Sequence, residues 1–342
     1  MPDPGNLYIR WSETGSDDNR TDPGGAVAYK SKSLQIINPN DPNQDDGRAL
    51  TGVDQQIRVK IDSLQVATPN VVVQVWACAW GTAGQPYLPS ANGAQGLSRD
   101  LDDQLNPFTA NPAPPAQQLT VDFDWRPRNS DLTSIGEPLT APLHVCLYAN
   151  CYSTAGQGDG AQVPPPGPPV INVASNRHHG QRNIRVFPVV NAMDRARIRM
   201  FSGNPFAEGE AVFVLQAAEL ERPRLDKDAL KRLQLGRWLR DDEKLPGHGA
   251  KLQLAQETVP ELGLAIGGEK SHKGPVEVSL TAGEPQPVEL DVAVPEAKPG
   301  TLHVLDVVHR HEKGVVGGAS VLLLTVDEER YAAFQPEPAA AV

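Results

Sequence analysis

Proline and glycine are frequent enough in this chain to limit the length of any regular element. The 342 residues include 32 prolines and 30 glycines. Proline cannot donate a backbone hydrogen bond and glycine favours turns, so both residues interrupt helices and the centres of sheets. The segments between them are short, and in many of them apolar and polar residues alternate. This pattern predicts many short strands joined by loops rather than long helices.

Alternation between apolar and polar residues is clearest in two segments. Residues 55–64 read "QQIRVKIDSL", in which every second side chain from Ile57 to Ile61 is apolar. Residues 70–80 read "NVVVQVWACAW", with valine and alanine on one face and Trp76, Cys78 and Trp80 on the other. Successive side chains of a strand point to opposite faces, so both segments are predicted to be strands. We interpret the two tryptophans as core residues because they share a face with Cys78.

The strand candidates fall into two groups. About seven precede residue 190 and roughly as many follow it, which is typical of antiparallel sandwiches. A chain of this length also exceeds what one hydrophobic core normally holds. We therefore predict an all-β protein with a first β-sandwich at residues 1–190, a second at residues 191–332 and a flexible tail at residues 333–342.

One short helix is predicted inside the second sandwich. The segment "RLDKDALKRLQLGRWLR" offers Asp226 or Asp228 as a cap, and Leu230 and Leu233 form a short apolar stripe. We expect this helix to plug one end of the sandwich.

The charge of the chain restricts its partners. The formal net charge is −11 at pH 7, whereas binding to nucleic acid or to an anionic membrane needs a basic surface. The densest basic cluster, Arg197 and Arg199 in "RARIRM", alternates along a strand candidate, and we interpret it as a solvated strand face. No apolar run approaches the ~18–20 residues that span a bilayer. We predict neither nucleic-acid binding nor membrane insertion.

The N-terminus "MPDPGNLYIRW" lacks the basic start and the apolar core of a secretory signal peptide. The expectation is a cytoplasmic protein, one exported by a leaderless route or within a particle, or a recloned mature chain, and the compartment stays open. The three cysteines, Cys78, Cys146 and Cys151, form a poor disulfide framework. Cys78 and Cys146 lie in apolar runs, so we favour two buried thiols over a bridge between them.

Two stretches offer metal ligands. "NPNDPNQDDG" contains four candidate calcium ligands, namely Asp41, Asn43, Asp45 and Asp46. They are weak candidates because Gly47 comes one residue too late for an EF-hand and no glutamate follows at the required distance. Asn-Pro and Asp-Gly are also common turn dipeptides. We therefore predict no metal and no cofactor.

Histidines are the other possible ligands. His178 and His179 are adjacent, so in a strand their side chains point to opposite faces and cannot bind one metal together. His309 and His311 share a strand face, an acceptable spacing for two ligands, but "HRHEKGVV" lacks the second histidine of HExxH. His144 and His303 are the remaining candidates for a further ligand.

The sequence motifs of common enzyme classes are not found in this chain with the required residue spacing. The chain has no GxSxG, and none of its cysteines lies in a local signature of cysteine enzymes. "GGEKSHKG" lacks the Gly-Lys-Ser/Thr ending of a phosphate loop and is better interpreted as a hairpin. We predict that the protein is not an enzyme.

Five segments, in order, resemble a known bacterial module. They are "NLYIRW", "LTGVDQQIRVKIDSL", "VDFDWRP", "LHVCLYA" and "SNRHHGQRNIRV". Together they resemble the CARDB-type (cell-adhesion-related) immunoglobulin-like module over residues 6–190. The resemblance implies an immunoglobulin-like sandwich in which His178 and His179 lie at a strand entrance, Asn183 bonds to backbone, and Ile184 and Val186 face the core.

The end of the chain resembles a hairpin that follows such modules in bacterial proteins of unknown role. It reads "PGTLHVLDVVHRHEKGVVGGASVLLLTV". The resemblance implies a turn at Gly300 and a bend or bulge at Gly317 and Gly318 before the last strand.

The chain departs from the CARDB pattern at residues 81–117, a loop long enough to expect a role in contacts. Tyr87 and Phe108 in this loop are our candidate interaction residues. The function that these observations favour is a non-catalytic structural or interaction protein of bacterial origin. It would be a subunit of a larger assembly or a surface or particle component, with protein partners and with self-association into an oligomer open. The alternative is a carbohydrate- or surface-ligand-binding module, for which Tyr87 and Phe108 would be exposed together.

Overall fold

The structure of the protein is a computed structural model, and part of the chain is described here. The described residues are 7–9, 31, 33–38, 41–45, 54–63, 71–79, 81–82, 118–126, 145–153, 160–161, 173, 176–190, 193, 195–206, 209–219, 253–254, 261–282, 284–294, 297–312, 314–329 and 331. They fold almost entirely as strands, in two tandem β-sandwiches whose strand pairs are mostly antiparallel. The predicted fold class is therefore confirmed. The predicted helix lies outside the described residues.

Eight strands belong to the first sandwich. They are β1 (Leu7–Tyr8), β2 (Leu34–Asn38), β3 (Asp41–Asp45), β4 (Gln55–Ser63), β5 (Val71–Ala79), β6 (Gln118–Trp125), β7 (Val145–Ser153) and β8 (His179–Arg182). Strands β1, β2, β3, β4 and β6 form one sheet, with β4 between β6 on one side and β1 and β2 on the other. Strands β5, β7 and β8 form the second sheet.

The core of the first sandwich contains one face of each sheet. Val71, Val73 and Val75 of β5 lie in it, with Ile57 and Val59 of β4. These residues are two apart in the sequence, as the alternation in residues 55–64 and 70–80 predicts. The valine face of β5 is therefore the core face.

Ten strands follow. They are β9 (Ile184–Val189), β10 (Arg195–Ser202), β11 (Glu210–Glu219), β12 (Gln253–Leu254), β13 (Leu262–Ile266), β14 (His272–Lys273), β15 (Val276–Thr281), β16 (Gln286–Ala293), β17 (Thr301–His311) and β18 (Gly314–Thr325). Strands β10, β16, β13 and β14 form a four-stranded sheet. Strands β15, β11, β17, β18 and β9 form the facing sheet, with β12 parallel to β17.

Strand β10 confirms the interpretation of "RARIRM". Its residues alternate between exposed and buried, with Ile198 and Met200 in the second core. Arg195, Arg197 and Arg199 are exposed on the other face. The arginines therefore form a solvated strand face.

Strand β9 departs from the expectation that it faces the first core. It runs parallel to β18, with Ile184 opposite Ser320 and Val189 opposite Thr325. Only Asn183 separates the end of β8 from the start of β9. β8 itself pairs with β7 of the first sandwich. The chain thus passes from one sandwich to the other at Asn183. The domain limits at residues 190 and 332 stay predictions, and the pairing of β9 adds residues before 190 to a sheet of the second sandwich.

The predicted hairpin at the end of the chain is present as β17 and β18. Gly300 has a φ of +88° and its N–H donates to the Thr325 carbonyl. The register shifts where His309 lies opposite Gly317 and Arg310 lies opposite Val315. Val316 is therefore the extra residue of a β-bulge, at the position where the paired glycines predicted one. "GGEKSHKG" lies in the β13–β14 hairpin, as predicted.

Candidate functional site at the junction of the two sandwiches

A cluster of buried polar side chains joins the two sandwiches. We call it the junction cluster and define it as Cys146, Tyr148, Gln181, Thr82, Ser202 and His309. The first three lie on strands of the first sandwich and the last two on strands of the second, with Thr82 between them. All six are buried. The hydrogen bonds of this cluster connect strands of both sandwiches.

Thr82 is the centre of the junction cluster. Its Oγ1 lies 2.9 Å from Ser202 Oγ on β10 and 3.1 Å from His309 Nδ1 on β17. Its N–H donates to the Phe201 carbonyl at 2.8 Å, and Gly81 forms a parallel bridge with Phe201. β10 and β17 belong to the two facing sheets of the second sandwich. One threonine that follows β5 of the first sandwich therefore bonds both sheets of the second.

Gln181 continues the network into the first sandwich. Its Nε2 lies 3.2 Å from the Thr82 carbonyl, 3.0 Å from Tyr148 Oη and 3.4 Å from Cys146 Sγ. Gln181 lies opposite Tyr148 in the β7–β8 ladder, so their side chains share one face of the sheet. That face lies away from the first core, which contains Leu147 and Ala149.

The same outer face of the β5–β7–β8 sheet also buries other large and polar residues. Trp76 is 2% exposed, and it lies opposite Tyr148 in the β5–β7 ladder. Asn150 Nδ2 donates to Gln74 Oε1 at 2.9 Å and to the Ala161 carbonyl at 2.8 Å. Trp76 is buried as predicted, but on the face opposite the first core. Trp80 lies outside the described residues.

Cys146 and His309 of the junction cluster are both held in their neutral forms. Burial raises the pKa of the Cys146 thiol to about 12, which outweighs the hydrogen bonds from Gln181 and Tyr148. Burial lowers the pKa of His309 to about 3, and the neighbouring His311 lowers it further. His309 Nε2 is buried and has no hydrogen-bond partner among the described residues. A proton there would place an unpaired donor in an apolar site.

Phenylalanine rings pack against His309 and its neighbour His311. The ring of Phe213 lies 4.7 Å from that of His309 and 5.4 Å from that of His311. Phe206 lies 4.8 Å from His311. The two histidines are therefore packed against phenylalanines, and His309 uses its Nδ1 for Thr82. Within the described residues, no three His, Cys, Asp or Glu side chains form a group that could hold a metal ion.

His178 and His179 lie where a strand begins, as predicted. β8 starts at His179. Asn176 Oδ1 accepts from the His178 N–H at 2.9 Å and lies 3.0 Å from His178 Nδ1. The Cys151 N–H donates to the His178 carbonyl at 3.0 Å. These contacts hold the turn that leads into β8.

Asn183 links the two sandwiches through the backbone. Its Nδ2 donates to the Gly318 carbonyl at 2.8 Å and its own carbonyl accepts from the Ser320 N–H at 2.9 Å. The implied bond from Asn183 to backbone is confirmed, and its acceptor lies in β18. Arg182, one residue earlier, donates to the Leu34 carbonyl of the first sandwich at 3.0 Å.

The remaining candidates have different outcomes. Cys146 and Cys151 are free and buried, so the prediction of an unpaired Cys146 is confirmed. The backbone of Cys146 lies directly opposite that of Cys78 in the β5–β7 ladder.

The candidate calcium ligands Asp41, Asn43 and Asp45 lie in β3. These weak calcium candidates stay untested, and Asp46 lies outside the described residues. The candidate interaction residues Tyr87 and Phe108, and the candidate ligand His144, also lie outside them.

Sequence reasoning missed Thr82, Gln181 and Ser202 as site residues. Each is an ordinary polar residue at or beside a strand, and no local motif distinguishes it. The available signal was burial of a polar residue in a strand pattern, as at Ser202, where the alternation of β10 places a hydroxyl on the core face. Such a residue needs a partner, although the sequence does not name it.

Comparisons with known proteins identify no family. No family model and no curated protein matches the chain. A crystal structure of CBD12 from CALX1.2 has 8% sequence identity and a TM-score of 0.16, and the match covers 75% of each chain. CfaE, the adhesive subunit of the CFA/I fimbria of enterotoxigenic Escherichia coli, has 7% identity and a TM-score of 0.23, covering 94% of this chain and 93% of its own. The C-terminal domain of Streptococcus pyogenes AspA has 9% identity and a TM-score of 0.18, covering 86% of this chain and 98% of its own. These low scores carry no argument about function.

Proposed function

We propose that this chain is a non-catalytic structural and interaction protein, a subunit of a larger bacterial assembly such as a surface or particle component. One observation carries the proposal. The side chains of the junction cluster are buried and are hydrogen-bonded to each other where the two sandwiches meet. Its chemistry serves cohesion between the domains.

The state of Cys146 and His309 supports this role. A thiol acts as a nucleophile only as a thiolate, and a pKa near 12 keeps Cys146 protonated at neutral pH. A catalytic base works best with a pKa near the ambient pH, whereas that of His309 is about 3. Both side chains are also fully buried. Neither Cys146 nor His309 is therefore suited to nucleophilic catalysis in the folded state.

Contacts on both sides of the connection also support a rigid two-domain unit. Thr82 and Gln181 bond across the junction cluster, and Asn183 bonds to β18. A rigid pair of sandwiches presents its edges and loops to a partner with little loss of conformational entropy on binding. The resemblance of residues 6–190 to the CARDB-type module belongs to this proposal.

Light scattering over a concentration series tests the proposed function. An assembly subunit is expected to show a mass that rises above 36.8 kDa with concentration. The same series on a variant without residues 83–117 asks whether that loop carries the contact. A mass that stays at the monomer value at every concentration would contradict self-association.

The carbohydrate-binding alternative has less support among the described residues. A sugar platform needs exposed aromatic rings, but Trp76 and Trp125 are buried. The alternative therefore depends on Tyr87 and Phe108. Substituting both with alanine and measuring retention on a polysaccharide column would separate a glycan binder from an assembly subunit.

A further inference from the structure

Two edge strands of the chain have matching lengths and opposite charges. β6 spans eight residues and pairs only with β4 among the described residues. β10 also spans eight residues and pairs with β16 along its whole length. Gly81 and Thr82 occupy its other edge at Phe201, so the part of that edge with no strand pairing among the described residues is Arg195 to Met200. An edge strand presents unpaired N–H and C=O groups that another strand can use. Both edges are therefore candidates for strand addition.

One hydrogen bond shows which N–H and C=O groups of β10 point away from β16. The Phe201 carbonyl accepts from the Thr82 N–H, so it points away from β16. Phe201 also lies opposite Pro287, which has no N–H to donate. In an antiparallel ladder, alternate residues direct both backbone groups to the same side. Arg195, Arg197 and Arg199 therefore direct their N–H and C=O groups outward.

The same reasoning applies to β6. The Lys60 N–H donates to the Ser33 carbonyl, so Lys60 directs its backbone groups away from β6. Thr120 lies opposite Lys60 in the β4–β6 ladder. Thr120, and with it Asp122 and Asp124, therefore directs its backbone groups away from β4, toward the free edge.

The residues with outward backbone groups are also those with exposed side chains. On β6 they are Thr120, Asp122 and Asp124, and on β10 they are Arg195, Arg197 and Arg199. On β6 the charges are the negative Asp122 and Asp124, and on β10 they are the three positive arginines. Like charges directly opposite each other destabilise a strand pair, and opposite charges stabilise it. The rows thus oppose β6–β6 and β10–β10 pairing and favour β6–β10 pairing.

We propose that β6 of one copy pairs antiparallel with β10 of a second copy of this chain, with Thr120 opposite Arg199, Asp122 opposite Arg197 and Asp124 opposite Arg195. This inference rests on the proposed function and names the contact of the assembly. Each copy contributes one edge of each kind, so the contact is head-to-tail and builds an open chain unless it closes into a ring.

Arg197 is the arginine of β10 that we expect to contribute most to the contact, because it has no ion pair within the described part of its own chain. Arg195 already bonds Glu261 at 2.8 Å and Asp291 at 3.1 Å. Asp122 accepts two bonds from Arg58, at 2.7 and 2.8 Å, but a carboxylate has about four acceptor sites, so it can accept from a second arginine. Arg197 has no ion pair among the described residues and gains one in the proposed register.

Charge reversal at Arg197 is the first test. Arg197→Glu places like charges opposite each other and is expected to raise the dissociation constant of self-association roughly tenfold or more, measured by light scattering. Lys270→Glu is the matched control, because Lys270 is exposed on the β13–β14 turn and the change in charge is identical. A wild-type mass that rises with concentration and responds equally to the two variants would overturn this contact while leaving the assembly function standing. A wild type that stays monomeric at every concentration would contradict this contact and self-association, and would leave an interaction with a different protein as the proposed function.

Disulfide cross-linking between two different cysteine variants tests the register of the proposed strand pair. Directly opposed residues have Cα atoms about 5.5 Å apart, within reach of a disulfide. A mixture of Thr120→Cys and Arg199→Cys chains is expected to form a mixed dimer in oxidised glutathione. Thr120→Cys mixed with Arg195→Cys is the control, because those positions would be about 14 Å apart. Equal cross-linking in both mixtures, or none in the first, would overturn the proposed pairing.

Discussion

Acidification should destabilise the protein through His309. Burial holds its pKa near 3 in the folded state, whereas an unfolded histidine titrates near 6.5. Between these values the unfolded state binds more protons than the folded state. Stability from this residue is therefore fully present above pH 6.5 and is lost as the pH falls toward 3. At pH 5 the loss relative to neutral pH is about 2 kcal/mol.

Urea unfolding at pH 7, 6 and 5 measures this loss, and His309→Gln removes the titrating group. We expect the free energy of unfolding of the wild type to fall about 2 kcal/mol more between pH 7 and pH 5 than that of the variant. His272→Gln is the control because His272 is exposed on β14. This control should retain the wild-type pH dependence.

The contradicting result is equally specific. If His309→Gln and the wild type lose the same free energy between pH 7 and pH 5, His309 does not remain neutral inside the junction cluster. The burial of His309 Nε2 without a hydrogen-bond partner among the described residues would then not describe the folded state.

Three further perturbations probe the two sandwiches. Gly180→Ala should destabilise the first sandwich by about 1–3 kcal/mol in urea unfolding, because the new Cβ would lie 2.6 Å from Ile9 Cγ2; wild-type stability would contradict this. Thr82→Val should lower the free energy of unfolding by about 1–3 kcal/mol by leaving a buried partner unsatisfied, whereas Thr82→Ser keeps the hydroxyl and most of the stability. Cys146 should resist a thiol reagent at pH 8 until the protein unfolds, because its pKa is near 12 and it is buried; peptide mass analysis showing rapid native labelling would refute this.

Local alternation predicted the individual strands well. The alternate valines of β5 lie in the first core. The arginines of β10 are exposed, while Ile198 between them is buried. Both results follow from the two-residue period of a strand, which depends on backbone geometry alone. The bulge near Gly317 was predictable for a similar reason, since paired glycines favour a local break in the ladder.

Partners across the fold were not predictable from the same patterns. Ile184 begins an ordinary strand segment, and nothing local specifies pairing with Ser320 of β18 rather than with the first sandwich. Trp76 shows the same limit. Its strand face was known, but burial of that outer face depends on contacts from other parts of the chain. A single sequence does not specify which distant segment supplies such contacts.

The sequence by itself determined an all-β chain with strands of known faces and an absence of familiar catalytic motifs. Those properties follow from local rules of backbone geometry and residue spacing. Only the tertiary structure decided that Thr82 bonds Ser202 and His309 across two sheets. It also decided that β6 and β10 lie at the edges of their sheets. The physical reason is that hydrogen bonds between distant segments depend on how the sheets pack, and packing is a property of the whole chain.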